Sequence, residues 1–217
     1  MNKSIAVFGL GRFGRSLATE LYNSGVDVMV VDKNEYLVNE FSGKSSYAVI
    51  ADLTNEESIK DIGIENMDVV VVTMGSDLTA SIMSVMVAKE VGVPYVIAKA
   101  ADVRMGNILT KMGADKVIYP EEEMGIRTAQ TIVSDDFLDY FNIDNNLCIL
   151  EMKTKPEWVG KNLIDLDLRN KYHINVVAIK YHSKMHSSID PNRPLEADSR
   201  LVVIIEKSQL AKIRRDK

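Results

Sequence analysis

Two periodicities alternate along the first 120 residues of the chain. Short, largely β-branched runs fall at Ser4–Phe8, Asp27–Val31, Tyr47–Ile50, Asp68–Thr73, Tyr95–Ala98 and Lys116–Tyr119. Between them apolar residues recur at helical spacing: Phe13, Leu17 and Leu21; then Leu78, Ile82, Val85, Met86 and Ala88; then Met105, Ile108, Leu109 and Met112. Strands alternating with helices through short loops predict an α/β fold, a Rossmann-like doubly wound parallel sheet with helices on both faces. The unbroken run Val69-Val70-Val71-Val72 suits a central strand buried on both sides. Gly25, Gly43, Gly63, Gly92 and Gly113 each follow a periodic stretch and mark helix ends.

After Pro120 the pattern changes. Glu121-Glu122-Glu123 opens a predicted helix through Ile132 and on toward Tyr140, because acidic residues favour a helix N-terminus. The polar stretch Asn142–Asn146 reads as a linker. Beyond it, Leu147–Met152 reads as a strand, Leu166–Lys171 as a short helix, and Ile174–Lys180 and Leu201–Ile205 as strands. The turn-rich stretch Ser187–Pro194 joins these last two strands, and Gln209–Lys217 forms a basic tail. The domains expected are 1–120, the doubly wound unit; 121–141, a crossover helix and linker; and 142–217, a small α+β unit. At about 70 residues the last is near the lower limit for independent stability, so it is expected to lean on a copy of itself.

Composition narrows the function. With 46% apolar and 26% charged residues in 217, the chain matches ordinary globular proteins. A net charge of −5 argues against a general nucleic-acid binder. The lone cysteine, Cys148, excludes an intrachain disulfide and a Cys-rich metal site, and a reducing, cytoplasmic home is expected. Met-Asn-Lys-Ser leads straight into an apolar strand with no signal-peptide pattern. The longest charge-free stretch, Leu78–Ala88, has eleven residues, short of the roughly 20 that span a bilayer. A membrane role is therefore expected to come through a partner.

The strongest local signal is Gly9-Leu10-Gly11-Arg12-Phe13-Gly14, directly after the strand Ile5-Ala6-Val7-Phe8. Gly9 permits the tight turn, Gly11 lets a pyrophosphate approach the backbone, and Gly14 lets the helix pack closely on the strand. The helix then offers unpaired N–H groups to phosphate. Eighteen residues past Gly14, Asp32 ends the second strand, where it would accept from ribose hydroxyls. Arg12 either reaches a terminal phosphate, in this subunit or a neighbour, or is a solvated surface arginine. Asp52 either accepts from an adenine or caps the helix beginning near Asn55. Lys99 either meets a phosphate at the end of the fifth strand or is a plain surface lysine.

Catalytic machinery is not evident. His173, His182 and His186 all lie in the second domain, and Cys148 on a predicted strand reads as a buried small apolar residue. Tyr95-Val-Ile-Ala-Lys99 has the Tyr-x-x-x-Lys spacing of short-chain dehydrogenases. That pair needs a helix; on a strand the two side chains stand about 13 Å apart. Nucleotide binding without bond-making is the reading that remains, and no catalytic residue is assigned.

Taken together these residues resemble the RCK (or KTN) regulatory domains. The resemblance is carried by GLGRFG at 9–14, Asp32, Ala51-Asp52-Leu53-Thr54-Asn55-Glu56-Glu57, the stretch Gly113 to Glu121, and Met124-Gly125-Ile126-Arg127-Thr128-Ala129-Gln130. Domain order and length are similar to those of the stand-alone cytosolic subunit of Ktr-type potassium uptake systems. The resemblance implies dimers assembling into an octameric ring beneath a membrane-embedded potassium-translocating subunit, with the chain peripheral at the inner face of the membrane and with ATP and ADP favouring different ring shapes. It implies nucleotide contacts at Gly9, Gly11, Arg12, Phe13, Gly14, Asp32, Lys33, Ala51, Asp52 and Lys99. It places a divalent cation, Mg or Ca, between subunits at Glu121, where ordinary helix-start electrostatics is the other reading. It implies cyclic di-AMP at Ile164, Leu168, Arg169, Ile174, Asn175 and Pro191, across a two-fold interface. Family members often carry asparagine where Asp52 stands, so NAD(H) stays beside ATP as a candidate. Two other classes remain, an NAD(H)-dependent oxidoreductase and an NAD(H)-sensing regulator. The regulator would need a DNA-binding helix-turn-helix, for which the basic segment Lys212–Lys217 is too short.

Overall fold

The computed structural model describes residues 3–133 and 137–215. It divides into two compact units, Met1–Glu121 and Glu122–Lys217. The first holds six strands, β1 (Ser4–Phe8), β2 (Asp27–Asp32), β3 (Tyr47–Ile50), β4 (Val69–Val72), β5 (Tyr95–Lys99) and β6 (Lys116–Ile118). All pair in parallel, in the order β3-β2-β1-β4-β5-β6. That order reverses between β1 and β4, and in open α/β sheets the crevice at such a reversal is where ligands bind.

Alternation along β1 explains the two layers. Ile5 and Val7 join Val28, Val30, Val38 and Phe41 in one core, which includes residues of α1 (Arg12–Asn23) and α2 (Glu35–Phe41). Ala6 and Phe8 join Val70, Val72, Val96 and Ala98 in the other, with residues of α3 (Glu56–Lys60), α4 (Leu78–Glu90) and α5 (Val103–Lys111). Val69 through Val72 are buried throughout, as expected of a central strand. Asn34, Asn55, Asp77 and Asp102 cap α2, α3, α4 and α5 with their side-chain oxygens.

In the second unit the helix α6 (Pro120–Val133) crosses from the first and ends short of Tyr140. Phe137–Asn142 is instead a strand, β7, pairing antiparallel with β8 (Leu147–Lys153). Phe137 and Tyr140 are each 3% exposed, so burial in the sheet overrides helical continuation. Residues 134–136, which the helical expectation crosses, lie outside the described residues. The predicted linker Asn142–Asn146 is the β7–β8 hairpin turn, where Asp144 Oδ1 accepts from the backbone N–H groups of Asn146 and Leu147, both at 2.7 Å. The helix expected at Leu166–Lys171 is two short ones, α7 (Leu163–Leu166) and α8 (Leu168–Tyr172), broken at Asp167 with φ +47°.

Strands β9 (Asn175–Tyr181), β10 (Lys184–His186) and β11 (Arg200–Glu206) complete an antiparallel sheet ordered β10-β9-β11-β8-β7. The Ser187–Pro194 stretch thus joins β10 to β11, an extra strand having formed before it. Cys148, Leu150 and Met152 face a core with Trp158, Leu166, Leu168, Ile174, Leu195 and Leu201. Burial pushes the Cys148 thiol up from its ordinary value, and Cys148 is a small core residue. The expected tail is in part α9 (Leu210–Arg215), with Leu210 and Ile213 buried; residues 216–217 lie outside the described residues.

One ion pair ties α6 to β7. Arg127 Nε and Nη2 donate to the two oxygens of Asp139 at 2.8 and 2.7 Å, and the guanidinium lies 3.8 Å from the Phe141 ring centroid. The Arg127 bond holds the Asp139 carboxyl below the usual carboxylate range. A depressed folded-state value adds stability above the unfolded value, and that stability is lost as pH falls through the folded one. Asp139→Asn is therefore expected to lower stability at neutral pH, with the gap from the parent holding down to about pH 5 and closing as pH falls below the unfolded value and through the lower folded one. Urea unfolding at several pH values reads this. A gap unchanged across that range would contradict the assignment.

Candidate functional site

A cavity of about 730 Å³ opens in the first unit, lined by the ends of β1, β2, β4 and β5 and the loops that follow them. Its first wall is the glycine turn. Gly9 has φ +93°, a conformation that favours glycine, and its N–H donates to Val31 O at 2.8 Å. A Cβ at Gly14 would lie 2.0 Å from Gly9 O, so α1 starts this close to the turn only because residue 14 is glycine. A Cβ at Gly11 would meet nothing within 4 Å. Gly11 is the N-cap of α1 and supplies no side-chain cap, so the first N–H groups of the helix are left for an anion.

Asp32 sits at the end of β2. Its Oδ2 accepts from Leu10 N at 2.6 Å and its Oδ1 from Asn34 N at 2.8 Å. Each oxygen keeps a lone pair for a ribose hydroxyl. Lys33 lies beside it on the cavity wall. Asp52 also lines the cavity and does not cap the following helix; Asn55 does, accepting from Ser58 N at 2.9 Å. Instead Asp52 Oδ1 accepts from the N–H and hydroxyl of Thr54, at 3.0 and 2.8 Å. Those two bonds hold its carboxyl below the usual range.

The cationic end is made by Arg12 and Lys99. Arg12 is exposed and has no ion-pair partner among the described residues; it borders the cavity and an adjoining shallow groove with Arg15 and Lys44. The Lys99 side chain is 14% exposed and pairs with Glu121, so it is no plain surface lysine. Its stem crosses Gly75, where a Cβ would lie 3.2 Å from Lys99 Cε, and its ammonium stands 5.8 Å from the Phe13 ring centroid. Lys99 holds the Glu121 carboxyl below its usual range.

Eight of the ten residues expected to bind nucleotide therefore share one cavity: Gly9, Gly11, Arg12, Phe13, Asp32, Lys33, Asp52 and Lys99. Gly14 and Ala51 are not on its wall: Gly14 is buried under the turn and Ala51 packs against the core. The sequence reading missed the second wall, Thr73-Met74-Gly75-Ser76-Asp77 with Ala80. Its signal was a polar, glycine-containing loop directly after the central valine strand.

Glu121, the expected cation ligand, is a single carboxylate already paired with an ammonium. Among the described residues no group of three or more His, Cys, Asp or Glu that could hold a metal ion converges. In the second unit the six residues expected to bind cyclic di-AMP differ in surroundings. Arg169 and Asn175 line one shallow cleft of about 310 Å³. Ile164 is exposed, and the preceding Leu163 N donates to Pro191 O at 3.1 Å. Leu168, on α8, and Ile174, just before β9, are 3% and 1% exposed and belong to the core.

The TrkA-N domain family matches residues 5–120 and the TrkA-C domain family residues 149–216. The chain is 39% identical to Ktr system potassium uptake protein C of Bacillus subtilis, over 94% of this chain and 92% of that one. It is 34% identical to Ktr system potassium uptake protein A of the same organism, over 99% and 97%. Among solved structures, the GsuK channel bound to NAD is 18% identical with a TM-score of 0.68, matching 97% of this chain but 38% of its own. That likeness concerns the fold. Among the described residues no helix is long and apolar enough to cross a membrane. By these matches the chain belongs to the family of potassium uptake proteins built from a TrkA-N domain followed by a TrkA-C domain.

Proposed function

We propose that this chain is a non-enzymatic regulatory subunit of a potassium uptake system, sensing an adenine nucleotide in its first unit. The observation that carries the reading is one cavity holding an open glycine turn, the acceptors Asp32 and Asp52, and the cations Arg12 and Lys99. The turn and the two cations suit phosphates, Asp32 a ribose and Asp52 an adenine. ATP and ADP are the ligands proposed, with NAD(H) a further candidate because the similar GsuK channel has been solved bound to NAD. The chain would assemble as dimers in an octameric ring at the cytoplasmic face of a membrane potassium-translocating subunit. Cyclic di-AMP would bind where Ile164, Arg169, Asn175 and Pro191 of one copy meet a second copy.

A ligand shifts a conformational equilibrium only by its difference in affinity for the two states. ATP differs from ADP by one phosphate, and the exposed Arg12 is the cation free to read it. Calorimetry with ATP, ADP and NADH on the full chain tests the reading. ATP and ADP are expected to bind, and Arg12→Ala to equalise them while ADP affinity stays nearly intact. Failure of the parent chain to bind any adenine nucleotide would remove the proposal; equal loss of ATP and ADP would remove the role of Arg12.

A further inference from the structure

Thr73 follows β4 and is 7% exposed. Its hydroxyl lies 2.8 Å from Gly9 O and 2.9 Å from Phe8 O. Phe8 O already accepts from Thr73 N at 2.8 Å, so Gly9 O is the acceptor that relies on the hydroxyl. Gly9 O belongs to the Gly9–Leu10 peptide, and the N–H of that same peptide donates to Asp32 Oδ2 at 2.6 Å. One planar unit is thus held at both ends, its carbonyl from β4 and its N–H from β2, across the crevice where the strand order reverses. Both fixed glycines close on the same hydroxyl: a Cβ would stand 2.7 Å from Thr73 Oγ1 at Gly14 and 3.0 Å at Gly9.

From this geometry we infer that Thr73 is a positioning residue for ligand phosphate. Fixing the Gly9–Leu10 peptide fixes the direction in which the chain enters Gly11 and Arg12, and so the aim of the N–H groups that open α1. Without the hydroxyl the peptide is held at one end only, and it can rotate about the Asp32 contact. The loss would fall on the phosphates of a ligand and leave its adenosine part alone.

This rests on the nucleotide reading, and the experiment separates the two. ADP and adenosine affinities are measured by calorimetry on the full chain and on Thr73→Val, Thr73→Ala and Thr73→Ser. Thr73→Val, nearly isosteric but without the donor, is expected to weaken ADP about tenfold, the size of one net hydrogen bond. Adenosine affinity is expected to stay within about twofold, and Thr73→Ser to restore ADP binding. Thr73→Ala, which cannot crowd the turn, gives the same split where the valine variant fails to fold. Parallel losses of ADP and adenosine, an unchanged ADP affinity, or no rescue by serine would each overturn the positioning role. A parent chain that binds neither ligand would overturn the nucleotide reading itself.

Discussion

Gly14→Ala is expected to abolish nucleotide binding and to lower stability by about 3 kcal/mol, the upper range for overpacking a closed site. The new Cβ would stand 2.0 Å from Gly9 O and 3.1 Å from Gly9 C, against backbone that cannot retreat. Gly9 N is bonded to Val31 O, Leu10 N to Asp32 and Gly9 O to Thr73. Relief therefore comes from α1, whose first turn must swing away and take Gly11 and Arg12 with it. Gly11→Ala is the control. Nothing lies within 4 Å of its Cβ and its φ is −65°, so alanine is tolerated there, at a cost of about 1 kcal/mol or less for changing the cap. That Cβ nonetheless occupies space a phosphate would use, so Gly11→Ala should fold like the parent and bind ADP poorly. Urea unfolding and calorimetry on both variants decide this. Gly14→Ala binding ADP with parental affinity would refute it.

Periodicity carried most of the first unit. β1 through β6 fall where β-branched runs stand, because each is short and flanked by polar turns. Tyr95–Lys99 is a strand despite its dehydrogenase-like spacing, since Pro94 precedes a β-branched core segment. The second unit was harder to read. Phe137–Asn142 continues an apolar-polar pattern compatible with a helix, and only pairing with β8 and burial of Phe137 and Tyr140 make it a strand. The same tertiary burial puts Leu168 and Ile174 in the core, which no local pattern signals. Asp52 illustrates a choice that geometry alone made: both readings needed a short acidic side chain near Asn55, and the position of Asn55 itself decided between them.

Lys99→Met is expected to weaken ADP binding ten- to a hundredfold, roughly the loss of one charge-assisted hydrogen bond in a partly enclosed site. Methionine keeps the apolar stem that lies over Gly75 and removes only the ammonium, so the fold should stand. Glu121→Gln is expected to move affinity the other way. Glu121 occupies the ammonium and adds a negative charge to the wall of the cavity proposed for nucleotide phosphates. Lys99 keeps that carboxyl ionised well below neutral pH, so its repulsion of phosphate persists throughout the working range. The two partners are held unequally: the Lys99 side chain is 14% exposed and that of Glu121 70%. Releasing the carboxylate to water costs little, whereas the ammonium stays where the cavity wall fixes it. Neutralising Glu121 thus frees a cation already in place. Calorimetry at low and high salt checks both variants, and the gain from Glu121→Gln should shrink as salt screens the repulsion. Weaker ADP binding by Glu121→Gln would mean that the carboxylate contributes to the ligand site and does not compete with it.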